Sequence, residues 1–314
     1  MSSLPTHAVI REVGLRDGLQ SIATLLPTDV KCEWIRLAHA AGITEIEVGS
    51  FVPPNLLPQM ADTADVVAFA KTLPGLSVTA LVPNLIGAQR AMDAGVDHIV
   101  LPISASAAHS QANVRRSPDD MIGVLRSIAA ERDARQSPIR IEAGIGTAFG
   151  CGLQGHVPQA EVLRLLRAAL DAGADCTSLA DTIGYADPAA VKVLFSAAIE
   201  IAGEQLWCAH FHDTRGLGLA NVFAALECGI SRFDASLAGI GGCPFAPGAS
   251  GNVATEDLAY MLTSMNVRTG VNVPALLGLR AFVGVHLRGE TLHGTIHRAG
   301  LPRTFPATAS AISH

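Results

Sequence analysis

The chain has 314 residues, of which 49% are apolar and 16% are charged. Disorder requires low hydrophobicity and high charge, so this composition excludes a disordered protein. The formal charge is −6 and only 4% of the residues are aromatic, which excludes a basic, base-stacking surface for nucleic acid. We therefore expect a folded protein with a large core and no nucleic-acid partner.

Two long segments, residues 72–89 and 235–255, carry no charged side chain. Both are interrupted by proline and glycine, whereas a membrane-spanning helix needs about 20 consecutive, mostly apolar residues. The first eight residues lack a basic region followed by an apolar one, so no secretory signal is predicted. The six cysteines show no CxxC pairing and are predicted to be free thiols. We expect a cytoplasmic protein with no membrane partner.

A short sequence pattern recurs four times along the chain, around Gly42, Gly95, Gly173 and Gly229. In each copy an amphipathic stretch precedes the glycine and a short apolar run follows it. Glycine accepts the left-handed conformation that ends many helices, and a short apolar run is typical of a buried parallel strand. The intervals from the first glycine to the second and from the third to the fourth are each long enough for two βα units.

Eight strands are predicted, separated by helical patterns such as residues 28–41 and 160–172. The predicted strands cover residues 7–13, 44–49, 77–82, 98–103, 139–143, 176–180, 207–212 and 232–237. Strands that alternate with helices imply a parallel sheet, and eight such units in about 250 residues fit an α/β fold of the (β/α)₈ TIM-barrel type. The alternative is a doubly wound open sheet, although no GxGxxG turn follows the first strand.

The barrel is predicted to occupy residues 1–272 as the catalytic domain. Residues 273–314 are predicted to form a short extra C-terminal helical segment, with a helix near residues 274–287 and then a tail, packed on the barrel or trailing from it. No linker that would separate a second globular domain is visible in the sequence.

Polar side chains are concentrated where four predicted strands end, and barrel enzymes place their active sites at this end of the strands. The first strand runs into REVGLRDGLQ (residues 11–20) and the seventh into WCAHFHDT (207–214). The second strand ends in EIEVGS (45–50) and the sixth in SLADT (178–182).

His210 and His212 are two residues apart, which on a strand places both imidazoles on one face. Neutral imidazole is a common metal ligand, and Asp17 would lie at a neighbouring strand end once the barrel closes. One carboxylate and two histidines with open positions suit Mg²⁺, Mn²⁺ or Co²⁺, and Zn²⁺ also fits. The alternative is one buried and one hydrogen-bonded histidine without a metal.

Three further side chains are candidates for chemistry. The Arg16 guanidinium stays charged and can stabilise an oxyanion, or it can form a surface ion pair with Asp17. Cys243 lies within the glycine-rich run 238–252, where a thiol can be an acid or nucleophile, or simply exposed. Asn252 can offer an amide oxygen to a metal, or cap a helix over residues 253–265.

Three motifs together resemble the 3-hydroxy-3-methylglutaryl-CoA lyase family. They are GLRDGLQ (14–20), HFHDT (210–214) and GGCPFAPGASGN (241–252), and the resemblance runs over about residues 8–272. The first two are shared with a wider superfamily that includes isopropylmalate and homocitrate synthases, whereas the cysteine loop is much more specific to the lyases.

This resemblance implies a metal-dependent carbon–carbon lyase. Such enzymes cleave a tertiary 3-hydroxy acyl-CoA by a reverse Claisen reaction into acetyl-CoA and a 3-keto acid, which is acetoacetate for the named substrate. The resemblance also implies a divalent metal, Mg²⁺ or Mn²⁺ before Co²⁺ or Zn²⁺, an acyl-CoA substrate, and a homodimer or higher homo-oligomer.

The resemblance also implies a role for each site residue. The metal ligands would be Asp17, His210, His212 and Asn252. Arg16 would stabilise the enolate, Cys243 would donate the proton that completes the acetyl methyl group, and His210 would also transfer a proton. Further active-site acids would be Glu47 and Asp181. Substrate-binding positions would be Glu12, Gln20, Ser50, Ser178 and Thr182.

The chain departs from the family pattern around the pocket. The usual Asn-Glu-Lys after Gln20 is replaced by Ser-Ile-Ala, so the lysine often assigned to the CoA or carboxylate end is missing. Asn55 and Leu56 stand where the family favours Lys-Trp, and Gly144 replaces a tyrosine, which would open the pocket. These changes leave two substrates open, 3-hydroxy-3-methylglutaryl-CoA and a 3-hydroxy-3-alkyl acyl-CoA that is bulkier at C3.

Two other functions remain as alternatives. A Claisen-condensing acyltransferase of the same superfamily would usually carry a regulatory domain after the barrel, and the segment beyond Asn266 is too short for one. A non-catalytic binding barrel would be expected to have lost a metal ligand or Arg16, whereas the candidate metal ligands and Arg16 are all present.

Overall fold

The computed structural model describes residues 4–242 and 251–306. Eight parallel strands close into a barrel in which each strand pairs with its sequence neighbours and the last pairs with the first. The strands are β1 (Val9–Glu12), β2 (Glu45–Ser50), β3 (Ser77–Leu81), β4 (His98–Ser104), β5 (Arg140–Gly146), β6 (Cys176–Asp181), β7 (Leu206–Phe211) and β8 (Arg232–Ala235). The predicted (β/α)₈ barrel is confirmed, and the open-sheet alternative is wrong.

At least one helix follows every strand. The helices are α1 (Thr28–Ala40), α2 (Thr63–Ala70), α3 (Leu85–Asp93), α4 (Ala107–Val114), α5 (Pro118–Ala134), α6 (Gln159–Asp171), α7 (Pro188–Ala202), α8 (Gly218–Glu227), α9 (Thr255–Ser264), α10 (Val273–His286) and α11 (Ile296–Ala299). In α1, Trp34 and Ile35 are completely buried, as expected of a helix that covers one face of a parallel sheet. No helix of the described residues is long and apolar enough to cross a membrane.

The four repeated glycines adopt the predicted conformation. Gly42, Gly95, Gly173 and Gly229 have φ values of 92°, 76°, 100° and 96°, and each stands just after the helix that precedes a strand. At Gly42 a side chain would also collide with the carbonyl oxygen of Gly270. These glycines therefore end the helices and turn the chain into the barrel.

The predicted strand boundaries differ from the structure mainly at β1 and β5. The first strand is shorter than predicted, because His7 forms only an isolated bridge with Arg268. The fifth strand extends three residues further than predicted, because Gly144 and Gly146 pair in register with Pro102 and Ser104 of β4. Glycine disfavours strands locally, so the sequence pattern ended this strand too early.

The C-terminal segment packs on the barrel as far as residue 306. The predicted helix at 274–287 is α10, which packs against α1 and begins after Asn272, whose side chain accepts a hydrogen bond from Ala275. Beyond it, the His293 amide donates to the carbonyl oxygen of Ala238 at 2.7 Å. A domain boundary at residue 272 stays a prediction.

Candidate active site

A tight turn at the end of β1 carries Arg16 and Asp17. Residues Gly14–Gly18 form one turn of π-helix, in which the Asp17 amide donates to the carbonyl oxygen of Val13 at 2.8 Å. A side chain at Gly14 would approach the Trp34 ring to 2.8 Å, and one at Gly18 would approach Ile240 to 2.6 Å. The glycines of the GLRDG motif therefore let this turn pack closely at the barrel mouth.

The two histidines and Asp17 come together as predicted. His210 lies on β7 and His212 one residue past its end, and their ring centroids are 5.1 Å apart. One ligand atom from each of Asp17, His210 and His212 can be chosen so that all three lie within 4.8 Å of one another. A carboxylate and two imidazoles at this spacing are a donor set that a divalent cation can use.

Asn252 completes this cluster. Its Nδ2 donates to Asp17 Oδ2 at 2.6 Å and to the Ile240 carbonyl oxygen at 3.1 Å. Its Oδ1 is buried and has no hydrogen-bond partner among the described residues. A buried amide oxygen without a partner is costly unless it meets a ligand, so the residues present fit a cation.

Asn252 does not cap a helix. The helix α9 begins at Thr255 and the residue before it is Ala254, so the alternative interpretation of Asn252 as an N-cap of residues 253–265 is wrong. The physical reason is that Val253 hydrogen-bonds to the end of β7, which holds the chain extended at Asn252.

Arg16 is held in a buried ion-pair chain. Its Nε donates to Glu47 Oε2 at 2.7 Å and its Nη1 to Asp17 Oδ1 at 2.6 Å. Only 9% of Arg16 is exposed, so the alternative interpretation as a surface ion pair is wrong. Neither of these two bonds uses Nη2.

Burial and charge set the protonation of this cluster. Burial opposes ionisation of Asp17, but the Arg16 charge and the hydrogen bond with His212 outweigh it and hold its pKa well below the usual range. Burial raises the pKa of Glu47, and Arg16 offsets this only in part. Burial disfavours charge on His210, but the hydrogen bond and charge of Asp234 raise its pKa above the usual value.

Gln20 is brought into the site, whereas Glu12 and Asp181 bind backbone groups beside it. Gln20 Nε2 donates to Asp17 Oδ1 at 2.9 Å. Glu12 accepts from the Gly14 and Leu237 amides at 2.8 and 2.9 Å, and from Thr255 Oγ1 at 2.5 Å. Both oxygens of Asp181 accept backbone amides of the turn that follows β6. Contact of these three side chains with a substrate stays a prediction.

Ser50 ends β2 and Thr182 directly follows β6, whereas Ser178 lies within β6. Ser50 Oγ is buried without a partner among the described residues, whereas Thr182 Oγ1 accepts the Thr147 amide at 2.8 Å. Ser178 pairs in register with Gly144 of β5. Their predicted role in substrate binding is likewise not tested by these contacts.

Cys243 lies outside the described residues, but both ends of the segment that carries it are beside the cluster. A side chain at Gly241 would collide with Asn252 Nδ2 and approach Asp17 Oδ2 to 3.1 Å. A side chain at Gly251 would lie 2.8 Å from the Gly241 backbone nitrogen. The glycines at both ends are therefore needed for this close approach.

Sequence reasoning missed a group of charged residues inside the barrel. Asp234 Oδ2 lies 3.1 Å from His210 Nδ1, and Arg11 bonds both Asp234 and Glu142. The available signal was that each of three short, mostly buried strands carries two charged residues, in VIRE, RIEAGIG and RFDA.

The fold and the site place this protein in a class, the (β/α)₈-barrel enzymes with a site for a divalent cation. The mouth of its barrel brings together a carboxylate, two imidazoles, an amide and a buried guanidinium. The family model HMGL-like matches residues 8–283. The chain belongs to the HMGL-like family, and it is a carbon–carbon lyase.

Relatives of known name are similar over most of their length. A hydroxymethylglutaryl-CoA lyase of Bacillus subtilis is 38% identical over 279 residues, which are 89% of this chain and 93% of that protein. A 3-hydroxy-3-isohexenylglutaryl-CoA/hydroxy-methylglutaryl-CoA lyase of Pseudomonas aeruginosa is 41% identical over 276 residues, 88% of this chain and 91% of that protein. The structure of an HMG-CoA lyase from Acinetobacter baumannii in complex with coenzyme A and 3-methylmalate has a TM-score of 0.90 and 37% identity, with 98% of this chain and 99% of that chain covered.

Proposed function

We propose that this protein cleaves 3-hydroxy-3-methylglutaryl-CoA to acetyl-CoA and acetoacetate. The observation that carries the proposal is the convergence of Asp17, His210, His212 and Asn252 beside the Arg16 guanidinium at the barrel mouth. The named relatives in Bacillus subtilis and Pseudomonas aeruginosa support the same reaction class.

The residues that would hold the cation are Asp17, His210, His212 and Asn252. A divalent cation bound there would polarise a hydroxyl and a carboxyl oxygen of the substrate and lower the pKa of the hydroxyl. We propose Mg²⁺ or Mn²⁺, because two of the four donors are oxygens and both ions accept mixed oxygen and nitrogen ligands, with Co²⁺ or Zn²⁺ as alternatives.

In the proposed reaction the 3-hydroxyl, whose pKa a bound cation would lower, loses its proton to a base. The bond between C2 and C3 then breaks, so that C3 becomes a carbonyl carbon and the electron pair passes to the thioester as an enolate. The positive charge of Arg16 stabilises this enolate. The thiol of Cys243 gives the proton that converts the enolate carbon to the acetyl methyl group.

One observation favours a second candidate substrate, a thioester with a larger alkyl group at C3. Gly144 carries no side chain and is half-buried. A single carbon added there would lie 3.2 Å from Val100 Cγ1 and 3.5 Å from Ser178 Oγ. A larger residue at this strand position would therefore crowd Val100 and Ser178 on the β4–β6 side of the barrel, and we propose that glycine keeps this side less filled for a substrate.

We propose that the acyl-CoA binds at the barrel mouth, with Glu12, Gln20, Ser50, Ser178 and Thr182 near the acyl group and with Glu47 and Asp181 as site acids. We also propose a homodimer or higher homo-oligomer in the cytoplasm. The coenzyme A in the Acinetobacter baumannii structure supports the ligand class.

The test is a release assay with two substrate panels. Purified protein is given 3-hydroxy-3-methylglutaryl-CoA with Mn²⁺ or Mg²⁺, and then with EDTA, and acetyl-CoA is measured. Rapid release that EDTA abolishes supports the proposal. Absence of release from this substrate together with release from 3-hydroxy-3-alkyl analogues identifies the second candidate, and absence from both panels in folded, metal-loaded protein contradicts both.

A further inference from the structure

A buried chain of charges runs across the inside of the barrel beneath His210. Arg11 is 1% exposed and makes two forked ion pairs. Its Nε and Nη2 donate to Asp234 Oδ1 and Oδ2 at 2.7 and 3.1 Å, and its Nη1 and Nη2 donate to Glu142 Oε2 and Oε1 at 2.7 and 3.2 Å. Both carboxylates are thereby fixed in plane by one guanidinium.

The register of the barrel explains why these residues meet. Asp234 of β8 is the direct partner of Arg11 on β1 and of His210 on β7. Directly paired residues of a parallel sheet point to the same face, so all three side chains enter the barrel at one level. Asp234 therefore stands between the guanidinium on one side and the imidazole on the other.

The hydrogen bonds of Asp234 leave it no freedom to turn. Oδ1 accepts from Arg11 and from Cys208 Sγ at 3.3 Å, and Oδ2 accepts from Arg11 and lies 3.1 Å from His210 Nδ1. An aspartate held in this way accepts a hydrogen bond from His210 when Nδ1 of that ring carries the proton. The other nitrogen of the His210 ring, Nε2, is then the one that remains to bind a cation.

We propose that Asp234 is the positioning residue for His210. Arg11, which also pairs with Glu142, holds Asp234 in the orientation that this role requires. The inference rests on the proposed role of His210 as a metal ligand. None of the three acts on substrate; they act by setting which imidazole nitrogen faces the metal site and how the ring is oriented.

A purely structural role for the three charges predicts a different result. Replacing one partner of a buried ion pair lowers stability wherever the pair is located. A positioning role also predicts weaker metal binding in the protein that remains folded, since outer partners of a metal-bound histidine typically contribute about 10- to 100-fold in affinity. Stability and metal affinity must therefore be measured separately.

The first measurement is the tautomer of His210 in the metal-free protein, read from two-bond ¹H–¹⁵N NMR spectra of protein labelled at histidine. The His210 signal is assigned from its loss in His210→Gln. We expect the wild-type ring to carry its proton on Nδ1 at alkaline pH, and Asp234→Asn to shift it toward the Nε2-protonated form. A wild-type ring protonated on Nε2, or an unchanged ring in the variant, overturns the proposal.

The second measurement is Mn²⁺ affinity by titration calorimetry on the full chain. We expect Asp234→Asn to weaken binding about 10- to 100-fold and Arg11→Lys to weaken it less, because lysine keeps the charge but not the fork. The control is Asp62→Asn, which breaks the partly buried pair of Asp62 with Lys31, a pair outside the cluster, and should leave Mn²⁺ affinity unchanged.

Glu142→Gln provides a variant that keeps Arg11 and Asp234 in place if Arg11→Lys does not fold. We expect a loss of Mn²⁺ affinity of about threefold or more, and equal affinity to wild type would remove Glu142 and Arg11 from the proposal. Failure of wild-type protein to bind Mn²⁺ would contradict the proposed metal ligation. An Mn²⁺ affinity in Asp234→Asn equal to that of wild type would contradict only the positioning role, so the two failures are distinguishable.

Discussion

Asn252 and Asp17 lie 235 positions apart in the chain and are joined by a hydrogen bond of 2.6 Å from Nδ2 to Oδ2. The bond fixes the amide so that its oxygen is the atom left without a partner among the described residues. The carboxylate and the amide oxygen are thus held as two neighbouring donors at the barrel mouth, with the histidines beside them.

Asn252→Ala is expected to weaken Mn²⁺ binding by at least about tenfold, because it removes a donor and the bond that orients Asp17. The measurement is calorimetric titration of metal-free protein. The matched control is Asn272→Ala, which removes the N-cap of α10 and should cost about 1 kcal/mol of stability without changing metal affinity. Equal Mn²⁺ affinities of wild type and Asn252→Ala would exclude Asn252 as a ligand.

Arg16→Lys is expected to lower kcat by about 10²- to 10³-fold with a smaller change in KM, since a donor aimed at developing charge acts on the transition state. Lysine keeps the positive charge but has a single side-chain nitrogen. It cannot reproduce the separate bonds that Nε and Nη1 of Arg16 make to Glu47 and Asp17 while another nitrogen meets the substrate. Steady-state kinetics measure the split, and Arg164→Lys, in an exposed ion pair, is the control. A change confined to KM would assign Arg16 to substrate binding alone.

Gly144→Val is expected to change substrate selectivity. The φ of Gly144 is not positive, so the backbone accepts a side chain there, and the added carbons would press on Val100 Cγ1 and fill space on this side of the barrel. We expect kcat/KM for analogues with a long C3 alkyl group to fall at least about tenfold relative to the methyl substrate. Gly123→Ala on α5, where an added carbon meets nothing within 4 Å, is the control. An unchanged selectivity ratio would show that the C3 group does not reach this strand.

Glu12→Gln is expected to flatten the pH dependence of stability. Burial raises the pKa of Glu12 to about 7 in the folded protein, from 4.5. Between pH 4.5 and about 7 the folded state therefore holds a proton on Glu12 that the unfolded state has lost. The stability that this proton contributes is complete below pH 4.5 and is lost as the pH rises through about 7.

Urea unfolding at pH 5 and pH 8 measures this effect. Wild type should lose about 1–3 kcal/mol more than Glu12→Gln over this interval, and Glu33→Gln, at a carboxylate in a surface ion pair with Arg36, should behave like wild type. Parallel pH curves for wild type and Glu12→Gln would show that Glu12 is charged in the folded protein throughout.

The elements that sequence predicts well are those with local causes. The helix-ending glycines, the apolar runs and the His210–His212 spacing are visible within a few residues, and they gave eight strands and a shared site at their ends. The boundaries failed where a local preference was overruled, as at Gly144, which pairs with β4 although glycine disfavours strands.

The partners of the site residues depend on register between distant strands and could not be predicted in the same way. Arg11 and Asp234 are 223 positions apart, and their pairing follows only from closure of β8 on β1. Asn252 was ambiguous for the same reason, because an asparagine before an acidic, apolar run is typical of a helix cap until the bridge to His212 is known.

The most direct test of the account is the fate of the acetyl group in D₂O. Metal-loaded protein and 3-hydroxy-3-methylglutaryl-CoA are incubated in D₂O, and the products are quantified by mass spectrometry, with EDTA and with Cys243→Ala as controls. The account predicts acetyl-CoA with one deuterium and acetoacetate in equal amounts, with both products lost in EDTA and strongly reduced in Cys243→Ala. Acetyl-CoA formation that EDTA leaves unchanged, or thioester hydrolysis without cleavage of the carbon chain, would contradict it.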